Sequence, residues 1–262
     1  MHLPASQALV PELLVRDASP STNAELAGLA RRGGMASFTT LVTDDQTAGR
    51  GRLDRSWLAP AGSALAISVL IEPRTADGRL PLARYGWLAI AAGVAMTETI
   101  AAALPAASTG FKWPNDVLVA GRKICGVLAE LLPEHGAVVL GAGVNLAMSE
   151  AQLPVPSATS LAIEGGDGDP DTILAGYLTR LRGHVDGYLA TSGDAEASGL
   201  AATARGLCST LGRDVLVELP GGRVIEGTAT DLDADGRLVV DGTDGEQHRV
   251  DAGDVTHARI AP

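Results

Sequence analysis

The longest apolar run in the chain, Tyr85–Leu104, limits the folds open to everything around it. Its length would suit a membrane span, but Thr97, Glu98 and Thr99 interrupt it and Gly93 sits inside it. A run of this kind reads as a helix, Leu82–Leu104, that is buried against a sheet rather than against lipid. The rest of the chain supplies the covering surface, since 46% of its 262 residues are hydrophobic, enough for a sizeable core.

Strands are expected at Ser37–Thr43, which is β-branched, at Ala64–Ile71 and at Val138–Leu146. Val117–Val119 and Ile124–Leu131 flank the turn Ala120-Gly121-Arg122 and read as a hairpin. Ser21 and Thr22 read as the N-cap of a helix over Asn23–Ala30, where Leu26 and Leu29 fall at helical spacing, and Ile173–Leu189 reads as a further helix. Asp44–Pro60 is polar and rich in Arg and Gly, hence a loop. Together these elements predict an α/β (α+β) domain with a mixed or antiparallel sheet over residues 1–205. The character changes near Arg205. From Asp214 onwards short strands (VLVEL, RVIEGTATDL, RLVV, QHRV) alternate with PGG, DADG and DGTDG turns, which predicts a small closed β-barrel domain over residues 206–262.

The net charge is −11 with His neutral, so the mean field of the chain repels DNA and anionic membrane, and neither is expected as a partner. Anionic ligands would need local cations. Lysine occurs only at Lys112 and Lys123, eleven residues apart in one motif-rich block, and the other strong cations are arginine. Arg cannot copy the compact charge of Lys, so chemistry is expected near this pair. Cys125 and Cys208 form neither a disulfide framework nor a metal pattern, and the first residues lack the features of a secretion signal, so a cytoplasmic setting is expected.

Four strings carry the candidate chemistry. In G-R-G-R-L-D-R-S-W (49–57), Gly49 and Gly51 permit close backbone approach to a ligand, and Arg50, Arg52 and Arg55 suit a phosphate or carboxylate. It is not a Walker A loop, because the G-x-x-x-x-G-K-[ST] spacing is absent. K-W-P-N-D (112–116) sets a cation, an aromatic, a proline, an amide and a carboxylate side by side. G-R-K-I-C-G-V-L-A-E (121–130) puts Lys123 on one arm of the hairpin and, three residues on, Gly126, whose missing side chain would admit a ligand. G-A-G-V-N-L (141–146) ends an apolar strand in Asn145, suited to a base edge. Each string also has a purely structural reading, as solvated loop, core Trp, turn Gly or satisfied Asn.

With S-T-N (21–23), Q-T-A-G-R-G-R (46–52) and Trp57, these motifs resemble, in this order and across nearly the whole chain, the bacterial biotin–protein ligases of the monofunctional type. The C-terminal segment is similar to that family's small Src-homology-type barrel. The chain departs at Asp54, where the family often has Gly, and at Leu53, where it often has a basic residue. The resemblance implies a carbon–nitrogen bond-forming ligase. It would use ATP and Mg2+ to convert biotin to biotinyl-5'-AMP, then pass biotin to a lysine of the biotin carboxyl carrier domain of an acyl-CoA or pyruvate carboxylase. It further implies that Ser21, Thr22, Asn23, Gln46, Gly49, Gly51 and the backbone at Gly126 hold biotin, and that Arg50 and Arg52 fold over biotin and nucleotide. Trp57, Asn115 and Asn145 would contact the nucleotide. Lys123 and Arg50 would be catalytic, Lys123 sitting between the biotin carboxylate and the α-phosphate. Asp116 would orient the incoming amine or help hold the metal, a role that competes with a structural hydrogen bond; the metal ligands are otherwise unknown.

Three other readings compete. Lipoate ligases and octanoyl transferases have a similar catalytic fold, and the transferases use a cysteine, but Cys125 falls in an apolar slot of its strand and reads as inert. A non-catalytic biotin or nucleotide sensor would not need Lys123 and both loop arginines. A ligase doubling as a repressor carries a DNA-binding domain in front, and only about twenty residues precede Ser21 here. The arginine loop is expected to be mobile when empty, its arginines repelling one another, and to order over biotinyl-adenylate.

Overall fold

The computed structural model describes residues 1–52, 55–219 and 221–251, together with the backbone of 254–257; Leu53 and Asp54 lie outside the described residues. A seven-stranded mixed sheet forms the body of the molecule. Its strands are β1 (Leu13–Arg16), β2 (Thr40–Thr43), β3 (Ala64–Ile71), β4 (Thr109–Lys112), β5 (Asp116–Val119), β6 (Arg122–Leu132) and β7 (Ala137–Asn145). They lie in the order β1-β2-β3-β7-β6-β5-β4, with β1 and β2 parallel and every other pair antiparallel.

The two faces of the sheet are covered differently. Helix α1 (Thr22–Arg31) packs Leu26, Ala27 and Ala30 on Leu41, Leu70 and Val139 of one face. Ser21 caps it, its hydroxyl accepting from the Ala24 N–H at 3.4 Å. The other face carries α2 (Gly86–Ala103), with a 3-10 turn at Leu82–Tyr85 leading into it, and α3 (Pro170–Ala190). The helix expected at Leu82–Leu104 is thus present; among the described residues it is the one helix long and apolar enough to cross a membrane, but it lies inside the core with Trp87, Leu88, Ala91, Val94, Ala95 and Met96 buried. Phe111 packs so closely on α2 that a Cβ at Gly93 would lie 2.5 Å from its ring, which explains the glycine inside the run.

The expected strand at Ser37–Thr43 is shorter, because Phe38 adopts φ 69° to turn its ring into the core beneath Arg182, and pairing starts only at Thr40. The β5–β6 hairpin has the two-residue turn Ala120-Gly121, both at positive φ, as a primed hairpin turn requires. The loop expected over Asp44–Pro60 contains a miniature ladder, Gly49–Arg50 against Ser56–Trp57.

After α4 (Leu200–Leu207) come β8 (Asp214–Glu218), β9 (Val224–Leu232), β10 (Leu238–Gly242), β11 (Gln247–Val250) and β12 (Asp254–His257). They form a second, wholly antiparallel sheet in the order β11-β10-β9-β8-β12, the small all-β module expected there; β12 adds a strand beyond the four strings read from sequence. One hydrophobic core runs through both parts, joining Trp113 and Phe111 to Val215, Ile225 and Val240.

Candidate active site

Side chains at alternate positions of a strand share a face, and the α1 face of the sheet opens into a cleft past the N-terminus of that helix. The register lines up Ala66, Gly143, Gly126, Asp116 and Lys112 across five neighbouring strands. A second row sets Ser68 beside Gly141 and Gly141 beside Leu128. The floor is therefore small and apolar in the middle and charged at one end.

At the neutral end, the Gln46 amide oxygen accepts from the Thr22 N–H at 2.8 Å and the Thr22 hydroxyl at 3.0 Å. Asn23 donates to the Leu128 carbonyl at 3.0 Å. The Ser68 hydroxyl lies 2.8 Å from Thr22 Oγ1 and 2.6 Å from Asn23 Oδ1, so one proton serves two acceptors. Gly141 is obligatory here, because a Cβ would lie 2.8 Å from Asn23 Cγ. Ser68 was missed in the sequence; its one signal is that it is the sole polar residue of the strand ALAISVLI.

At the charged end, Lys123 Nζ lies 2.6 Å from Asp116 Oδ1. The contact is off the hydrogen-bond axis, and Oδ1 is buried without accepting a hydrogen bond among the described residues. Gly126 serves Lys123 directly, since a Cβ there would lie 3.0 Å from Nζ. This refines the expectation that Gly126 makes room for a ligand: the space it leaves is taken by the lysine. Lys112 stands opposite Asp116 on the adjacent strand, half-buried, and burial pushes its ammonium below the ordinary lysine range while Asp116 opposes the shift. Both lysines of the chain therefore flank one carboxylate. The backbone of Lys123 is zipped to Ser157–Thr159, its N–H donating to Ser157 O and its carbonyl accepting from Thr159 N–H, each at 2.8 Å.

The arginine loop lies over the cleft. Arg52 donates to Asn115 Oδ1 at 3.1 Å, and burial lowers its guanidinium from the usual value, with Asp116 opposing. Asn115 in turn donates to the Val127 carbonyl at 3.0 Å. Arg50 pairs with Glu130 at 3.0 Å, and the Trp57 indole sits over Gly143, where a Cβ would come within 2.6 Å of the ring. Arg50 and Arg52 thus have partners within the protein, contrary to the expectation that the arginines only repel one another until an anion arrives.

Ser21, Thr22, Asn23, Gln46, Arg50, Gly51, Arg52, Trp57, Asn115, Asp116, Lys123 and Gly126 all line this one cleft. Two candidates do not. Gly49 lies behind the lining, where a Cβ would meet the backbone carbonyl of its ladder partner Trp57 and Gln46 Nε2, so its missing side chain lets both the ladder and the glutamine pack. Asn145 is buried and its amide donates to the Thr159 carbonyl at 2.8 Å, a structural contact beside the cleft. Among the described residues no cluster of three or more His, Cys, Asp or Glu side chains is placed to hold a metal.

The mixed sheet thus carries a cleft that is hydrogen-bonding and neutral at one end and cationic at the other, able to take a ligand with a polar uncharged head and an anionic tail, and a small antiparallel β-module follows it in the chain. The chain belongs to the biotin/lipoate A/B protein ligase family, which it matches over residues 17–145, and residues 210–257 match the biotin protein ligase C-terminal domain. It is 40% identical over 241 residues to a Mycobacterium tuberculosis protein named biotin–[acetyl-CoA-carboxylase] ligase, covering 91% of this chain and 86% of that one. A Paracoccus denitrificans protein of the same name is 37% identical over 180 residues, covering 64% and 72%. The biotin protein ligase of Aquifex aeolicus, solved in complex with biotin and ATP, superposes with a TM-score of 0.74 at 25% identity, covering 95% of this chain and 99% of that chain.

Proposed function

We propose that this chain is a biotin–protein ligase that activates biotin with ATP and transfers it to a lysine of a biotin carboxyl carrier domain, such as that of an acyl-CoA or pyruvate carboxylase. The observation that carries this reading is the polarity of this cleft. Thr22, Asn23, Gln46 and Ser68 form a neutral hydrogen-bonding end suited to a ureido ring, while Lys123, Arg52 and Asp116 gather at the other. The floor between them, Ala66, Gly143 and Gly126, fits an aliphatic chain.

The chemistry calls for this arrangement. A biotin carboxylate oxygen attacks the α-phosphorus of ATP, the bond from that phosphorus to the bridging oxygen breaks, and pyrophosphate leaves with the electron pair. Both reactants are anions, so Lys123 and Arg52, with Arg50 swung from Glu130, offset the repulsion and stabilise charge that grows in the transition state. Mg2+ takes one or two carboxylates plus phosphate oxygens rather than a full protein cage; Asp116, the one carboxylate lining the cleft among the described residues, would hold it, and the ion would add positive charge at the phosphates. In the second step the carrier lysine amine attacks the acyl carbon, the bond from that carbon to the phosphate oxygen breaks and AMP departs. Asp116 is then suited to orient the amine and take its proton. A cytoplasmic setting goes with this reading, since ATP is the co-substrate and Cys125 and Cys208 are free thiols. The chain divides, in this reading, into a catalytic part up to residue 205 and a β-module after it.

Exchange of pyrophosphate into ATP tests the assignment. The exchange is expected to depend on biotin, and mass spectrometry should detect biotinyl-adenylate; exchange with lipoate and none with biotin would overturn it.

A further inference from the structure

Besides the shared core, the C-terminal β-module sets one turn, Asp233–Gly236, against the catalytic part. Two indoles read two of its carbonyls: Trp87 Nε1 donates to Ala234 O at 3.0 Å, and Trp113 Nε1 donates to Gly236 O at 3.1 Å. Arg84 approaches Asp235 at 3.8 Å, and a Cβ at Gly86 would lie 2.6 Å from Asp235 O, so the turn sits directly on the start of α2. A second segment, Ser209–Thr210 just before β8, holds the backbone of the β4–β5 segment. Thr210 Oγ1 accepts from Trp113 N–H at 3.1 Å, and Ser209 N–H donates to Phe111 O at 2.8 Å.

The two tryptophans are equally buried, at 1% and 2% exposure, but they differ in their chain neighbours. Trp87 belongs to α2, remote from the cleft. Trp113 leads through Pro114 to Asn115 and Asp116. Asn115 holds Arg52, and Asp116 faces Lys123. The neutral end of the cleft is built on α1, Gln46 and β3, which are held by hydrogen bonds among themselves and to Leu128 rather than to the turn.

We propose that Trp113 is a positioning residue for adenylation and that the Asp233–Gly236 turn is its anchor. The β-module fixes the Trp113 indole and backbone, and this sets the placement of Asn115 and Asp116, hence of the cations they hold over the α-phosphate. The inference rests on the ligase reading. It predicts a split: loss of the anchor lowers the rate of the chemical step and leaves biotin recognition alone, because small misplacements of charged groups cost rate steeply.

The test compares Trp113→Phe, Trp87→Phe and Thr210→Val in the full chain by melting temperature and by kcat and KM of biotin-dependent ATP–pyrophosphate exchange, assayed well below every melting temperature. Both Phe variants lose one hydrogen bond to the same turn, so similar falls in melting temperature are expected. Trp113→Phe should lower kcat by about tenfold with KM for biotin unchanged, while Trp87→Phe keeps the parent kinetics. Thr210→Val, which removes the acceptor of the Trp113 N–H, should lower kcat in the same sense and decides the matter if Trp113→Phe does not fold. Parent-like kcat in Trp113→Phe, or equal losses in Trp113→Phe and Trp87→Phe, overturns the proposal. Absence of biotin-dependent exchange in the parent protein would instead overturn the ligase reading.

Discussion

Lys123 combines a positive charge with a fixed seat. Its strand is pinned on one side to β5 and on the other to Ser157–Thr159, and Gly126 clears the volume its ammonium occupies. Lys123→Ala should therefore leave the fold intact and lower the biotin-dependent exchange rate on the order of a hundredfold or more, as removal of one transition-state electrostatic donor does. Lys123→Arg should rescue only part, because a planar fork does not fit the space beside Gly126; a near-parent rate in the alanine variant would show that the charge acts elsewhere. Cys125, two residues on, faces the opposite side of the sheet because a β-bulge lies between it and Lys123; it is fully buried in the core, and burial pushes its thiol up to about 12. It is thus protonated and shielded at neutral pH. Cys125→Ala should keep the parent exchange rate at a stability cost of about 1 kcal/mol, and iodoacetamide at pH 8 should not inactivate the enzyme; rapid inactivation through Cys125 would revive an acyl-cysteine mechanism.

At the scale of the element, the arginine loop is held by contacts of unequal strength. Its beginning is zipped to the chain before α1, Thr47 N–H donating to Ser19 O and Ala48 N–H to Pro20 O. The Arg50–Glu130 pair is half-exposed and worth little, roughly 0–1 kcal/mol, so an anionic ligand can exchange for it. Cleavage by an arginine-directed protease after Arg50, Arg52 or Arg55 should consequently slow on addition of biotin plus ATP; equal cleavage with and without ligands would mean that the loop does not close over the adenylate. The two glycines of the loop should differ. Neither is among the residues at positive φ, so the issue is space rather than backbone angle. A Cβ at Gly49 would clash with the Trp57 backbone carbonyl and with the Gln46 amide, whereas one at Gly51 meets only Arg55, nearest at its carbonyl oxygen at 3.3 Å. Gly49→Ala should raise KM for biotin clearly more than Gly51→Ala, as read from exchange kinetics; the reverse order would put the critical close approach at Gly51.

Across the whole molecule, one core passes from the seven-stranded sheet into the β-module, with Phe111, Trp113, Val215 and Ile225 in a single cluster. Calorimetry should accordingly show one cooperative transition, and two resolved transitions would mean that the modules melt independently. Biotin plus ATP at about a hundredfold excess over Kd adds about 2.7 kcal/mol, equivalent to a rise of roughly 5–10 °C in Tm for a chain of this size. The pieces of this molecule were legible in the sequence where physics is local. Apolar run length and period marked α2 and β3, Ser21 marked the cap of α1, Ala120-Gly121 marked the hairpin, and clustered lysines and arginines marked the charged strings. What the sequence could not determine depends on contacts between residues far apart in the chain. Strand register alone sets Ala66, Gly143, Gly126, Asp116 and Lys112 in one row, because a slip of one residue would turn every side chain to the other face. Tertiary structure likewise gave Ser68 its place between Thr22 and Asn23, turned Asn145 to the Thr159 carbonyl and brought the Asp233–Gly236 turn onto Trp113. Each of these is a hydrogen bond whose partner no nearby residue can supply.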